Sequence, residues 1–263
     1  MRLSNTKQEH LEMEEVMKKI LLLVVLGLFV LTVPVQAEKI SEAGNKILKK
    51  IDSNLLPEST IFYRKLINIE PNGSKKEFVL FTARKGKDKI LSTFLAPKTE
   101  IGRHTLRLGE NMWLYIPNVG KPLRITSLQS VTGGLFNNSD IMRLDFSEEY
   151  NVVGVKKKQN KLLLRAKNKS IAYDKLIMEF NPEKMLPIKI KCYTASDMLI
   201  KTLEFKNIKN FGDGVVRPET IETHSPLYKG YKSVMIYAKV KKKKLQDELF
   251  TVNSMKKIID LKD

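Results

Sequence analysis

The sequence predicts a mainly β protein with a few helices, its strands forming one antiparallel sheet that curls into a half-open, incomplete barrel. Three observations predict it. Short runs of alternating apolar and polar residues, about a dozen of them, recur with Gly, Asn and Pro turns at short intervals. A single amphipathic stretch precedes them and needs a sheet to cover its apolar stripe. No Pro/Ser-rich linker or shift in composition divides the chain, which reads as one domain over 38–263. A sheet this large cannot leave two apolar faces in water, and curling around helical plugs hides one of them.

The helix is expected over Glu38 to Asn54, where Ile40, Ala43, Ile47 and Ile51 share one face and lysines the other. Asn54 and Pro57 end it. Thr60 to Glu70 and Lys76 to Arg84 flank Pro71-Asn72-Gly73-Ser74, a strong hairpin signal. Strands continue over Lys89 to Ala96, Arg103 to Leu108, Asn111 to Ile116 and Pro122 to Ser127. Gln129 to Ser139 breaks the pattern. It reads as a mobile, apolar-tipped loop feeding a short helix over Ser139 to Phe146. Strands resume over Asn151 to Lys158, Lys161 to Lys167, Asp174 to Phe180, Leu186 to Tyr193, Met198 to Lys209, Val215 to Thr223 and Tyr231 to Lys241. Asp247 to Ile259 reads as a final short strand or helix.

The stretch from Gly109 to Ile141 carries more than pattern. It contains a Gly109-Glu110-Asn111 turn, a strand with Trp113 and Tyr115, a Pro117-Asn118-Val119-Gly120-Lys121 turn, an Arg124-Ile125 strand and a Gly133-Gly134 loop running to Asp140. This succession resembles the LolA-like superfamily of periplasmic outer-membrane lipoprotein-sorting proteins. Ile47 to Asp52 and Glu248 to Met255 add to the match, so the resemblance covers nearly all of 38–263. The loop departs from the family pattern at Phe136-Asn137-Asn138-Ser139-Asp140. The resemblance implies an incomplete antiparallel barrel with a helical lid over an acyl-chain cavity. It also implies an inner-membrane transporter as donor and an outer-membrane acceptor.

Met17-Lys18-Lys19, the apolar run Ile20 to Val33 and the small residue Ala37 have the form of a signal peptide over 17–37. The run is shorter than a membrane span prefers. Residues 1–16 read as a mis-called start extension. The expected location is therefore the periplasm, with no lipid anchor, since no Cys lies near the cleavage point. Cys192 is the only Cys, which excludes an intramolecular disulfide, and it falls in an alternating run as a small core residue. The net charge of +18 favours transient contact with an anionic membrane or simply a solvated lysine-rich surface. Nothing in the motifs suggests nucleic-acid binding.

The enzyme signatures are missing: no G-x-S-x-G elbow, H-E-x-x-H helix, P-loop or dinucleotide fingerprint occurs. His104 and His224 stand far apart without metal-ligand spacing, and His104 reads as an edge or exposed residue. Glu148-Glu149 reads as a solvated turn. No catalytic residue, metal or cofactor is expected. Candidates for a lipid-facing wall are Phe94, Leu95, Leu106, Leu108, Trp113 and Tyr115, and ordinary core is the other reading of each. Gly133, Gly134, Leu135 and Phe136 are candidates for the lid, with the glycines as a hinge or merely a turn. Two functions follow. One is a carrier that takes lipoprotein acyl chains, or another lipid, between membranes. The other is an envelope sensory or interaction module that binds a lipid or protein without transport. The export reading predicts a mature N-terminus at Glu38 on soluble periplasmic protein. N-terminal sequencing that finds Met17 or Met1 retained on membrane-bound protein would overturn it.

Overall fold

The computed structural model describes residues 41–143 and 145–256, with positions 13, 15 and 17–19. The expected cleavage site, nearly all of the targeting segment and the first residues of the expected helix lie outside the described residues, as do positions 257–259. A helix, α1, covers 41–55. Six strands follow: β1 (Ser59–Ile69), β2 (Lys75–Lys85), β3 (Lys89–Ala96), β4 (His104–Leu108), β5 (Asn111–Tyr115) and β6 (Leu123–Ile125). A crossover then carries two single-turn helices, α2 (Asn138–Ile141) and α3 (Phe146–Glu149). Seven more strands complete the sheet: β7 (Tyr150–Lys156), β8 (Lys161–Ala166), β9 (Lys175–Asn181), β10 (Leu186–Tyr193), β11 (Leu199–Asn210), β12 (Val216–His224) and β13 (Lys232–Lys242). The last described stretch forms 3-10 turns at Asp247–Phe250 and Asn253–Lys256 rather than a strand or α-helix.

The sheet has 13 strands in the order β6-β5-β4-β3-β2-β1-β13-β12-β11-β10-β9-β8-β7. Each half is a meander, as the short turns dictate, and the halves join where β1 pairs antiparallel with β13. At the β1–β2 turn Gly73 takes φ +83 and donates to the Glu70 carbonyl at 2.9 Å, the left-handed step that glycine adopts without strain.

β6 and β7 are the two edges and do not pair with each other. Side chains bridge the open seam instead. Asn168 Nδ2 donates to Glu110 Oε1 at 2.6 Å, and Ser127 Oγ to the Ser170 carbonyl at 2.9 Å. These contacts join the β8–β9 loop to the far half of the sheet, so the sheet curls into a half-open barrel. Helix α1 covers the β7 edge. Ser41 Oγ donates to the Val152 carbonyl at 2.8 Å, and Val152 N–H donates to Asn45 Oδ1 at 3.2 Å. Both backbone groups of Val152 are taken up in this way, which removes that position of the edge as a template for another chain.

Period-2 alternation gives the sheet two apolar faces, and each is covered. Inside, Leu48 and Ile51 of α1 pack with Phe62, Leu66, Leu80 and Phe94 of the strands. Outside, Ile61, Phe81, Leu91 and Leu106 pack under Leu245, Phe250 and Met255 of the C-terminal segment. Cys192 is fully buried in the inner cluster, and burial pushes its thiol up to about 12.

α1 approaches β7 so closely that a Cβ on Gly44 would stand 2.4 Å from Val152 Cγ1 and 2.9 Å from Val155 Cγ2. On an exposed helix, Gly→Ala stabilises by ~1 kcal/mol. Here the overlap with a stiff, buried valine costs ~1–3 kcal/mol. Gly44→Ala is therefore expected to lower the melting temperature by a few degrees. A rise in melting temperature would show that α1 does not seat on β7.

Candidate functional site

The concave floor carries cations as well as apolar groups. Arg64 of β1, Arg84 of β2, Arg107 of β4 and Arg217 of β12 are all buried, as is Lys201 of β11. Alternation places Arg64 in phase with Phe62 and Leu66, and Arg84 in phase with Leu80. The crossover brings the complementary carboxylates. Asp140 pairs with Lys201 at 2.7 Å, Asp145 with Arg84 at 2.6 Å and Glu149 with Arg107 at 2.5 Å. Arg64 Nη1 also donates to the Ile141 carbonyl and Arg107 Nη1 to the Met142 carbonyl, both at 3.0 Å. The crossover is thus latched to four strands from both halves of the sheet.

Its preceding loop is latched too. Asn68 Nδ2 donates to the Thr132 carbonyl at 3.2 Å, Ser233 Oγ accepts from Leu135 N–H at 3.0 Å, and Lys201 Nζ donates to the Leu135 carbonyl at 2.5 Å. Asn137 caps α2 reciprocally with Asp140, and the Tyr173 hydroxyl donates to the same carboxylate at 3.1 Å. Beneath the crossover Phe136, Ile141, Met142 and Phe146 fill the concave face. A cavity of about 40 Å³ remains there. Beside the loop lies an open groove of about 460 Å³ lined by Leu128, Leu135, Phe136, Ile200, Leu227 and Tyr228 among others. That volume falls in the range of small-molecule pockets.

The fold is similar to that of a LolA superfamily protein from Nitrosomonas europaea. The two align with a TM-score of 0.71 at 27% identity, over 78% of this chain and 96% of that one. The chain belongs to the LolA-like superfamily. Two further structures share the fold. An outer membrane lipoprotein-sorting protein domain from Vibrio parahaemolyticus aligns at TM-score 0.69 and 20% identity, over 82% of this chain and 100% of that one. A DUF1329 family protein from Desulfovibrio piger aligns at TM-score 0.69 and 19% identity, over 82% and 99%. A family model described as "Uncharacterized protein" matches residues 86–257, and the chain is a member of that family. No curated protein sequence matches.

In this LolA-like chain the expected lipid-facing wall is divided between the two faces. Phe94 lies in the inner cluster, edge-on to Phe78 at 6.1 Å between ring centroids. Leu106, Leu108, Trp113 and Tyr115 lie on the outer face against the C-terminal segment. Leu95 is exposed. The reason is phase: Trp113 registers with Leu106, while its neighbour Met112 registers with Arg107 and points inward. The four lid candidates do stand together, beside the groove. In this structure they form a pinned hairpin. Phe136 is buried in the inner cluster, and Gly134 lies where a Cβ would come within 2.0 Å of Asn68 Oδ1. Gly134 thus serves close approach, and Gly133 at φ +75 serves a turn.

Two further expectations are corrected. His104 is buried, bonded to Thr93 Oγ1 at 2.8 Å and stacked on Tyr115, and burial lowers its pKa. Glu149 is buried against Arg107, while only Glu148 remains toward solvent, beside Lys87. The inward arginines were within reach of the alternation rule, but their carboxylate partners lie on irregular backbone that has no period. Among the described residues, no cluster of His, Cys, Asp or Glu is arranged to hold a metal.

Asp52 of α1 accepts the N–H groups of Phe146 and Ser147 at 2.8 Å each, joining helix to crossover. Burial raises its pKa to about 7, Asp145 adds to the rise, and the two donors partly oppose it. The folded state therefore holds a proton that the unfolded state releases near pH 4. Stability from this group is full below that pH, falls as pH rises toward 7, and is constant above. Asp52→Asn is expected to flatten the decline between pH 5 and 7.5 in urea unfolding. An unchanged slope would assign the decline to other groups.

Proposed function

We propose that this LolA-like protein is a non-catalytic carrier of the periplasm. It takes acyl chains of lipoproteins, or another lipid, between its concave sheet and its crossover and moves them between inner and outer membrane. A transporter in the inner membrane and an acceptor in the outer membrane are its partners in this reading. The observation that carries it is the plug. The apolar floor of the barrel is filled by crossover residues that belong to no strand, so the plug can part from the floor while the sheet's own ladder stays intact. The likeness to an outer membrane lipoprotein-sorting domain supports the same reading.

The energies are compatible with exchange. A chain of about fifteen methylenes gains on the order of 12 kcal/mol on burial. Separating a buried ion pair costs ~3–5 kcal/mol if one partner stays dry, and less when opening admits water to both. Cargo and crossover thus compete for the floor on similar terms, and the groove beside Leu135 and Phe136 provides an apolar approach to it.

Native mass spectrometry of protein released from the periplasm tests the reading directly. Stoichiometric lipid or lipoprotein is the expected result. Protein without cargo that co-purifies with one envelope partner would favour a non-transporting module. Two substitutions separate plug from scaffold. Phe136→Ala removes a buried ring, costing at most ~3–5 kcal/mol, and is expected to speed exchange of a fluorescent acyl probe. Trp113→Ala, on the outer face, is expected to lower stability and leave probe affinity unchanged. Unaltered exchange in Phe136→Ala would remove the crossover from the mechanism.

A further inference from the structure

The cavity of about 40 Å³ under the crossover is walled in part by Arg64, Arg84, Arg143, Arg217, Asp52, Asp140 and Asp145. The carboxylates are already engaged. Asp140 holds Arg143 and Lys201, Asp145 holds Arg84, and Asp52 accepts two backbone N–H groups. Two guanidiniums are left over, and both are buried. Arg64 donates to a carbonyl, a hydroxyl and a thioether, and Arg217 donates through Nε to its neighbour's carbonyl. No carboxylate among the described residues pairs with either. Among the described residues, Arg64 Nε and Arg217 Nη1 have no hydrogen-bond partner. The two flank Tyr237, with Arg217 Cζ 3.7 Å and Arg64 Cζ 5.9 Å from its ring centroid.

The Tyr237 hydroxyl is the one acidic group among the described residues set against both, and although burial opposes it the two cations lower its pKa. Arginine does not shed its proton to escape burial, so two guanidiniums sharing one phenol and paired with no carboxylate are costly. By the measure in which one water needs roughly 10–15 Å³, the cavity holds about three. That is room for a carboxylate or a halide. We infer that this cavity is an anion-binding site that takes a carboxylate-sized monoanion between Arg64 and Arg217. The anion is either a free small carboxylate or the headgroup of a fatty acid whose chain lies along the apolar floor. Only the second source rests on the carrier reading.

Binding of a fluorescent polyene fatty acid and of its neutral methyl ester is compared on the full mature chain, and acetate is titrated separately by thermal shift. If the fatty acid is the source, it binds about tenfold or more tightly than the ester, the difference expected of charge-assisted hydrogen bonds. Arg217→Gln then reduces the acid to the ester's affinity and leaves the ester's unchanged, while Arg217→Lys restores part of the preference. If a free anion is the source, acetate raises the melting temperature of the wild type and not of Arg217→Gln. Acetate stabilisation without binding of either probe would sustain the anion site and refute the carrier reading. Equal affinities for acid and ester, together with no acetate stabilisation of the wild type, would overturn the inference. The wild-type comparisons decide this even if the variants fail to fold.

Discussion

The structure depends on the pairing of crossover carboxylates with cations that the strands aim inward. An open sheet buries its concave face only while something else lies on it. Here that cover is the crossover, and Asp140, Asp145 and Glu149 fix it to Lys201, Arg84 and Arg107. Replacing such pairs with hydrocarbon can leave a fold equally stable, so their presence says little about stability. Their geometry says more. Ionic contacts are directional and can be hydrated when separated, whereas an interlocked apolar plug has no comparable second state.

The sheet solves its other difficulties by local means. Its two edges are the places where pairing stops, and side chains bridge the gap between them. Helix α1 takes up both backbone groups of Val152 in β7 through Ser41 and Asn45, and the seam is bridged by Asn168, Glu110, Ser127 and Ser170. The outer face of β1 to β5 is sealed by the C-terminal segment. That seal explains why the sole tryptophan, in the stretch most characteristic of the superfamily, stabilises the scaffold rather than lining the floor. Asp52 links the two inner covers, since one carboxylate on α1 accepts the first two N–H groups of α3.

A floor holding arginines is an unusual lining for a purely apolar cargo. Arg64 lies at the meeting point of these roles. It supports the α2 carbonyl, stacks near Phe62 and Tyr237, and borders the inner cavity. It therefore touches both the crossover and the cavity beneath it. In the carrier reading proposed above, movement of the crossover and recognition of a polar headgroup would be coupled through the same guanidinium.

The sequence by itself determined the local structure. Alternation marked the strands, Asn72-Gly73 the first hairpin, and the stripe through Ile47 and Ile51 the helix; the succession from Gly109 to Ile141 marked the superfamily. These signals are legible because strand period, turn chemistry and helical stripe are properties of neighbouring residues. The phase of each strand was not legible in the same way. Alternation separates two faces but does not say which is inside, and here both are apolar because α1 and the crossover cover one while residues 245–256 cover the other. Only the tertiary structure put Phe94 and Met112 inside and Trp113 and Tyr115 outside. It alone paired Glu149 with Arg107 and left Arg64 and Arg217 with no carboxylate partner among the described residues. Charge pairing across 42 positions of chain is decided by how the sheet curls, and that curl is a property of the whole assembly of strands.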